Sequence, residues 1–126
     1  MYITVDEKDR RPIYQQIVDE IKGLIATGEL AQGTFLPPVR QVAADLGVNL
    51  NTVAFAYRQL QHEGLVKVRH GAGALVISRV LTEPIGEQSR SQLTAALTHL
   101  VLSGLKPSEV RNLVDEELRQ LYAHVS

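Results

Sequence analysis

The sequence predicts a mainly α-helical protein with one small β-hairpin and a two-helix hairpin at its C-terminus. Three observations support this class: apolar residues recur at helical spacing up to residue 64, the spacing then becomes alternating, and two amphipathic stretches end the chain. We divide the 126 residues into a domain over 1–79 and a helical region over 80–126.

Three helices are predicted in the first domain. The first covers residues 12–27, with a proline at its start, where the missing N–H costs nothing. Gly28 ends its apolar pattern, and a loop follows over residues 29–34, ending in Phe35-Leu36-Pro37-Pro38. The second covers about residues 38–46, and the third begins after Asn49, a residue type that favours the N-cap position. Only a short turn around Gly47 separates the second helix from the third, so this pair is a helix-turn-helix.

A β-hairpin is predicted directly after the third helix. Residues 65–69 and 74–77 have the two-residue period typical of β-strands, and the segment between them, His70-Gly71-Ala72-Gly73, is predicted to form a tight turn. A hairpin in this position is the wing of a winged helix-turn-helix. Residues 82–86 then interrupt regular structure, which we interpret as a linker.

The C-terminal region contains two amphipathic helices joined by the short segment Leu105-Lys106, and we expect them to form an antiparallel hairpin. Two short helices cannot bury both apolar stripes against each other. They could pack on their own N-terminal domain, but symmetry and size favour a second copy of the chain. The predicted dimerisation residues are Leu97, Leu100, Val101, Val110, Leu113, Val114, Leu118 and Leu121.

Composition and charge exclude several classes of protein. With 44% hydrophobic and 21% charged residues the chain is typical of a globular domain, and its apolar runs are too short to span a membrane. Without a signal sequence, we expect it in the cytoplasm. The net charge is −1, yet residues 40–79 carry five basic and two acidic side chains, whereas residues 80–126 carry four and six. This asymmetry fits a mildly basic face for nucleic acid, although ordinary scatter would produce it equally well.

The sequence offers no basis for catalysis. It has no cysteine, its four histidines are not at metal-ligand spacing, and no nucleophile–base pair or phosphate-cradling loop is present. We therefore predict no metal, no cofactor and no enzymatic activity.

The start of the third helix has the residue types that read DNA. A helix fits the major groove, and side chains near its N-terminus reach base edges. There Asn51 could pair with adenine, Leu50 could contact a thymine methyl group and Thr52 could bond a base or a phosphate, while Asn49 is chiefly a cap. The predicted DNA-binding residues are Arg40, Asn49, Leu50, Asn51, Thr52, Arg58, Arg69, His70 and Gly71.

Two of these interpretations have ordinary alternatives. Arg40 could contact phosphate or guanine, or simply be a solvated surface arginine. His70 could contact a groove or be a plain turn residue. Phe55 lies off the inward face of the third helix, where it could contact the first helix, the C-terminal region or a partner chain.

Short motifs follow one another along residues 10–77: Pro12-Ile13-Tyr14-Gln15-Gln16-Ile17, Gly28-Glu29-Leu30, Gly33, Leu36-Pro37, Arg40, Leu46-Gly47-Val48, Thr52-Val53, Tyr57, Leu60, Glu63-Gly64-Leu65 and Gly71-Ala72-Gly73. In this order they resemble the GntR family of bacterial regulators. Residues 48–57 resemble its YtrA-like subfamily, whose helical C-terminal part is very short.

The resemblance implies DNA contacts at Arg40, Asn51, Thr52 and the wing pair His70-Gly71. Two departures bear on specificity. Pro38 and Val39 stand where the family often has a small polar residue and an acid. Many members also have arginine at the positions of Leu50 and Ala54. In the YtrA-like subfamily the position of Leu50 is often proline. We therefore expect readout to depend on Asn51 and on DNA shape.

The sequence as a whole predicts a dimeric repressor that binds a palindromic operator in double-stranded DNA. The resemblance also implies a small-molecule effector, whose identity the sequence leaves open. The alternative is a winged-helix module that binds protein and no longer binds specific DNA, which the net charge of −1 and the two missing arginines favour.

Overall fold

The computed structural model describes residues 3–69, 73–83 and 86–123. The chain divides into two compact units, residues 1–82 and residues 83–126. In the described residues the elements are, in order, α1 (Ile13–Thr27), β1 (Phe35–Leu36), α2 (Val39–Leu46), α3 (Leu50–His62), β2 (Val66–Arg69), β3 (Gly73–Val76), α4 (Glu87–Leu102) and α5 (Pro107–Leu121). This mainly helical architecture with a small sheet confirms the predicted fold class.

The helix-turn-helix lies where the sequence predicts it. Helix α2 ends at Gly47, whose φ of 67° is the left-handed conformation that glycine adopts without strain. Asn49 caps α3, since its side chain accepts a hydrogen bond from the backbone N–H of Asn51 at 2.7 Å. Both α1 and α2 begin one residue later than expected, because their prolines, Pro12 and Pro38, have extended ψ angles and act as N-caps.

The wing belongs to a three-stranded antiparallel sheet in the order β1-β3-β2. Strands β2 and β3 form the predicted hairpin, with Val66 opposite Val76. Strand β1 pairs Leu36 with Ala74, in a segment that we expected to be a loop. This expectation was wrong because two residues are too few to show alternation, so the strand is defined only by its partner. The predicted turn residues 70–72 lie outside the described residues.

One hydrophobic core holds the first unit together. It takes one face from each of α1, α2 and α3 and the inner face of the sheet. Its fully buried large side chains are Tyr57, Ile17, Ile21, Ile25, Leu36, Leu60, Val18, Val53, Val66 and Val76. The buried Gln16 attaches the N-terminal segment to this core, because its amide accepts from the N–H of Asp6 and donates to the carbonyls of Asp6 and Arg11.

The last segment of the first unit, residues 79–82, is hydrogen-bonded to two helix ends. The Arg79 guanidinium donates to the carbonyls of Ile25 and Ala26, at the C-terminus of α1. The backbone N–H of Thr82 donates to the carbonyl of Glu63, just after α3. These bonds add donors at helix ends, where carbonyls lack the regular helical partner; the Ile25 carbonyl also accepts from the N–H of Gly28.

The second unit consists of α4 and α5, which contact each other. No residue of either helix is buried, and α5 alone leaves Leu113, Val114, Leu118 and Leu121 about 40% exposed. Among the residues that the structure describes, no helix combines the length and apolar character needed to cross a bilayer.

We expect Gly73→Ala to destabilise the first unit by about 2–4 kcal/mol, because φ is +78° there and a Cβ would collide with the Leu36 carbonyl oxygen. Chemical denaturation followed by circular dichroism measures the free energy of unfolding. The matched control is Gly33→Ala, where φ is +93° and the space for a Cβ is open, so only the left-handed backbone costs about 1–2 kcal/mol. Equal losses for the two variants would contradict the close approach at Gly73.

Candidate nucleic-acid interface

The position of α3 is set by a hydrogen bond to the segment that precedes α2. The Tyr57 hydroxyl donates to the backbone carbonyl of Pro37 at 2.6 Å. Tyr57 is only 1% exposed, and this burial raises the pKa of its hydroxyl above the ordinary value for tyrosine. The carbonyl that it bonds directly precedes Pro38, the N-cap of α2, so one interaction sets where α2 begins relative to α3.

The wing is joined to α3 by a second side chain. The Gln61 side-chain oxygen accepts the backbone N–H of Val68 at 2.7 Å. Because β2 is an edge strand, the Val68 N–H has no neighbouring strand to bond to. The side-chain oxygen of Gln61, on α3, accepts it instead. Sequence reasoning missed both Gln61 and the hydroxyl role of Tyr57, since neither bond has a signature in local spacing.

A hollow of about 500 Å³ lies between α2, the start of α3 and the wing. We call it the basic groove, because the described residues that line it include two arginines and no acid. Its lining residues are Pro38, Val39, Arg40, Leu50, Asn51, Ala54, Val68, Arg69 and Gly73. The structure thus brings together four of the predicted DNA-binding residues, Arg40, Leu50, Asn51 and Arg69, from three different elements.

A second hollow, of about 370 Å³, lies on the other side of α3. It is lined by Tyr14, Asn51, Thr52 and Phe55, and we call it the aromatic hollow. The rings of Tyr14 and Phe55 meet edge to face, with centroids 4.7 Å apart and planes at 79°. Phe55 therefore contacts the first helix, one of the three possible contacts that the sequence left open.

Asn51 lines both hollows, so this residue lies between the basic groove and the aromatic hollow. The predicted residue Arg58 lies about two turns beyond Asn51 along α3, with its guanidinium carbon 5.9 Å from the centre of the Phe55 ring. Asn49 serves as the cap of α3. The predicted wing residues His70 and Gly71 lie outside the described residues.

The chemistry of this surface suits a polyanion that itself carries apolar groups. Backbone N–H groups at the start of α3 favour negative charge, and exposed arginines flank them. Tyr14 is the site residue that sequence reasoning missed. It belongs to the Pro12–Ile17 motif, but nothing in the sequence pairs it with Phe55. Within the described parts of the chain, no three His, Asp or Glu residues are grouped so that they could hold a metal ion.

Comparison with known proteins gives consistent matches. Residues 13–76 match the family described as bacterial regulatory proteins, gntR family. The chain is 28% identical over 123 residues to the HTH-type transcriptional repressor YtrA of Bacillus subtilis (strain 168), covering 98% of this chain and 94% of that protein.

Two solved structures resemble the chain over most of its length. YtrA from Sulfolobus acidocaldarius, a GntR-family transcription factor, is 35% identical with a TM-score of 0.57, covering 94% of this chain and 97% of that one. A transcriptional antiterminator from Listeria monocytogenes EGD-e is 28% identical with a TM-score of 0.78, covering 96% and 92%.

We expect Tyr57→Phe to lower the free energy of unfolding by about 1 kcal/mol, because the Pro37 carbonyl loses its donor. The folded-state pKa of Tyr57 is raised, so the neutral hydroxyl stabilises the fold below about pH 10, the unfolded pKa, and this contribution is lost as the pH rises further. Denaturant titrations at pH 7 and above pH 10 should show a steeper alkaline loss for the wild type than for Tyr57→Phe. The control Tyr122→Phe, at a 64% exposed side chain, should leave both values unchanged.

Proposed function

Since the chain belongs to the GntR family of bacterial regulatory proteins, as a YtrA-like member, we propose that it is a sequence-specific DNA-binding repressor that binds a palindromic operator as a homodimer. The observation that carries this proposal is the position of Asn51. This exposed residue is the second of α3, and it lines both the basic groove and the aromatic hollow.

In this proposal α3 enters the major groove. Asn51 pairs with adenine through its amide, and Thr52 bonds a base or a phosphate. Leu50, which is 41% exposed in the basic groove, contacts a thymine methyl group. The arginines Arg40 and Arg69 neutralise phosphates on the two sides of the groove.

The wing adds contacts beyond those of α3. Arg69 ends β2 and is exposed, so its side chain is available to a phosphate or to the minor groove. His70 and Gly71 follow it directly in sequence, and they remain proposed contacts. Arg58 adds positive charge on the side of α3 that faces the aromatic hollow.

We propose that the second unit joins two copies of the chain. Its helices expose apolar side chains that would be costly to leave in water, and a dimer with two-fold symmetry suits two half-sites of a palindrome. In this proposal the interface is formed by Leu97, Leu100, Val101, Val110, Leu113, Val114, Leu118 and Leu121.

A protein-interaction module is the second candidate function. The exposure of two large apolar side chains on α3, Leu50 at 41% and Phe55 at 44%, favours it, since such side chains also suit an apolar protein surface. Salt dependence separates the candidates, because only binding to DNA releases condensed counterions.

Selection of bound sites from a random pool of double-stranded DNA tests the proposed function. We expect a palindrome that contains an adenine in each half-site, and an affinity for it that falls steeply with salt. On that site Asn51→Ala should bind about 1–3 kcal/mol more weakly per lost adenine pair, because the bidentate amide contact is gone. Fluorescence anisotropy at several salt concentrations measures both quantities.

The matched control is Asn112→Ala, which removes an exposed amide from α5 and should bind the operator as the wild type does. Recovery of no common sequence, or equal affinity for selected and random DNA, would contradict the proposed function. Unchanged binding by Asn51→Ala would remove that residue from base recognition.

The dimer has its own test. Leu113→Asp together with Leu118→Asp puts two charges into the apolar stripe of α5, so we expect monomers in sedimentation velocity and a large loss of operator affinity. Ser108→Asp together with Asn112→Asp adds the same charge outside the stripe, at exposed positions on the opposite side of α5, and should remain dimeric. A dimer that survives the leucine substitutions would place the interface elsewhere.

A further inference from the structure

The aromatic hollow contains an exposed ring that the proposed contacts do not use. Phe55 is 44% exposed although its side chain is entirely apolar. The ring is nevertheless held in place, by the edge of Tyr14 at 4.7 Å and by the Arg58 guanidinium at 5.9 Å. A fixed apolar ring beside the polar residues Asn51 and Thr52 has the form of a small binding surface.

We propose that Phe55 reads a thymine of the operator by contact with its 5-methyl group, and that Tyr14 is the positioning residue for the ring. This inference rests on the proposed function. The thymine methyl is the apolar group that base edges present in the major groove, and phenylalanine is among the side chains suited to it. The contact would distinguish thymine from cytosine, which lacks the methyl group.

The place of the hollow on α3 supports a base rather than a protein as its occupant. Asn51 and Thr52 line it together with Phe55, so a base edge next to the adenine read by Asn51 meets the ring directly. Four residues of helix advance about 6 Å, which is close to two base steps of about 3.4 Å each. The thymine should therefore lie within two base pairs of that adenine.

Charge points the same way. Arg58 puts a cation against the ring, and the described residues that line the hollow include no acid. An apolar protein partner would have to desolvate this guanidinium, whereas the adjacent phosphates of DNA would pair with it. The combination of an apolar ring and a neighbouring cation thus fits a thymine within a phosphate backbone.

Replacement of thymine by deoxyuridine in the selected operator tests the inference, because it removes only the methyl group. Each thymine is exchanged in turn, symmetrically in both half-sites. For the wild type we expect, besides the thymine that Leu50 contacts, one position one or two base pairs from the adenine at which the affinity falls about fourfold per half-site, the value for one buried methyl-sized group. For Phe55→Ala the ratio of affinities at that position should be close to one, whereas Phe55→Leu should keep most of it.

Tyr14 is tested by the same ratio. Tyr14→Phe keeps the edge contact and should keep the discrimination. Tyr14→Ala should lose the discrimination while the affinity for the deoxyuridine operator, measured well below the unfolding midpoint, stays near the wild-type value; the midpoint itself should fall, because Tyr14 packs against the core. A residue that only stabilised the fold would change the midpoint and not the ratio. Phe35→Ala is the matched control, since Phe35 is 55% exposed on β1 and lines neither hollow.

Two results would overturn the inference: full discrimination retained by Phe55→Ala, whether or not its affinity falls equally on both operators, or a selected operator in which no thymine other than the one paired with the adenine lies within two base pairs of it. Each leaves an operator that the wild type binds, so the proposed function stands. If no operator is recovered at all, the proposed function and this inference fail together.

Discussion

The hydrogen bond from the Tyr57 hydroxyl to the Pro37 carbonyl is the constraint on which the rest of the first unit depends. Three elements meet at this carbonyl. It precedes the N-cap of α2, it accepts from α3, and a Cβ on Gly73 of β3 would lie about 3 Å from it. A movement of any one of them would disturb the other two, because the junction is buried and closely packed.

This junction explains how distant parts of the chain form one surface. Arg40 follows the start of α2, Asn51 follows the start of α3 and Arg69 ends β2, yet all three line the basic groove. Tyr57 sets the position of the helices, and Gln61 ties the edge of the wing to α3. Preorganisation of this kind lowers the entropy that binding would otherwise cost. The basic groove and the aromatic hollow then lie on either side of a single residue of α3, Asn51.

The two units carry different parts of the proposed activity. The first has a dense core and holds its own functional side chains in position. The second has no buried residue in α4 or α5, so the pairing of these two helices removes little of their apolar surface from water. This contrast is the physical basis for assigning base contacts to the first unit and assembly to the second. In the proposed dimer, operator affinity would depend on protein concentration, because a monomer would have only one set of contacts.

The elements of the fold could be predicted from the sequence because their signals are local. Helical periodicity, the Asn49 cap, the glycine after α2 and the alternation after residue 64 all act between residues near in the chain. The same applies to the choice of Asn51 and Thr52, which follows from their place at the start of a helix. Prolines shift two helix starts by one residue, an error of the size that capping geometry produces.

Contacts between distant residues were decided only by the tertiary structure. Strand β1 exists because β3 pairs with it, and two residues alone have no period to detect. The partner of Phe55 is Tyr14, 41 positions earlier, and the partner of Tyr57 is the Pro37 carbonyl, 20 positions earlier. The sequence by itself therefore determined which helix reads DNA in our proposal and which residues begin it. Packing determined the two hollows beside that helix, because side chains separated along the chain meet only when the core brings their helices together.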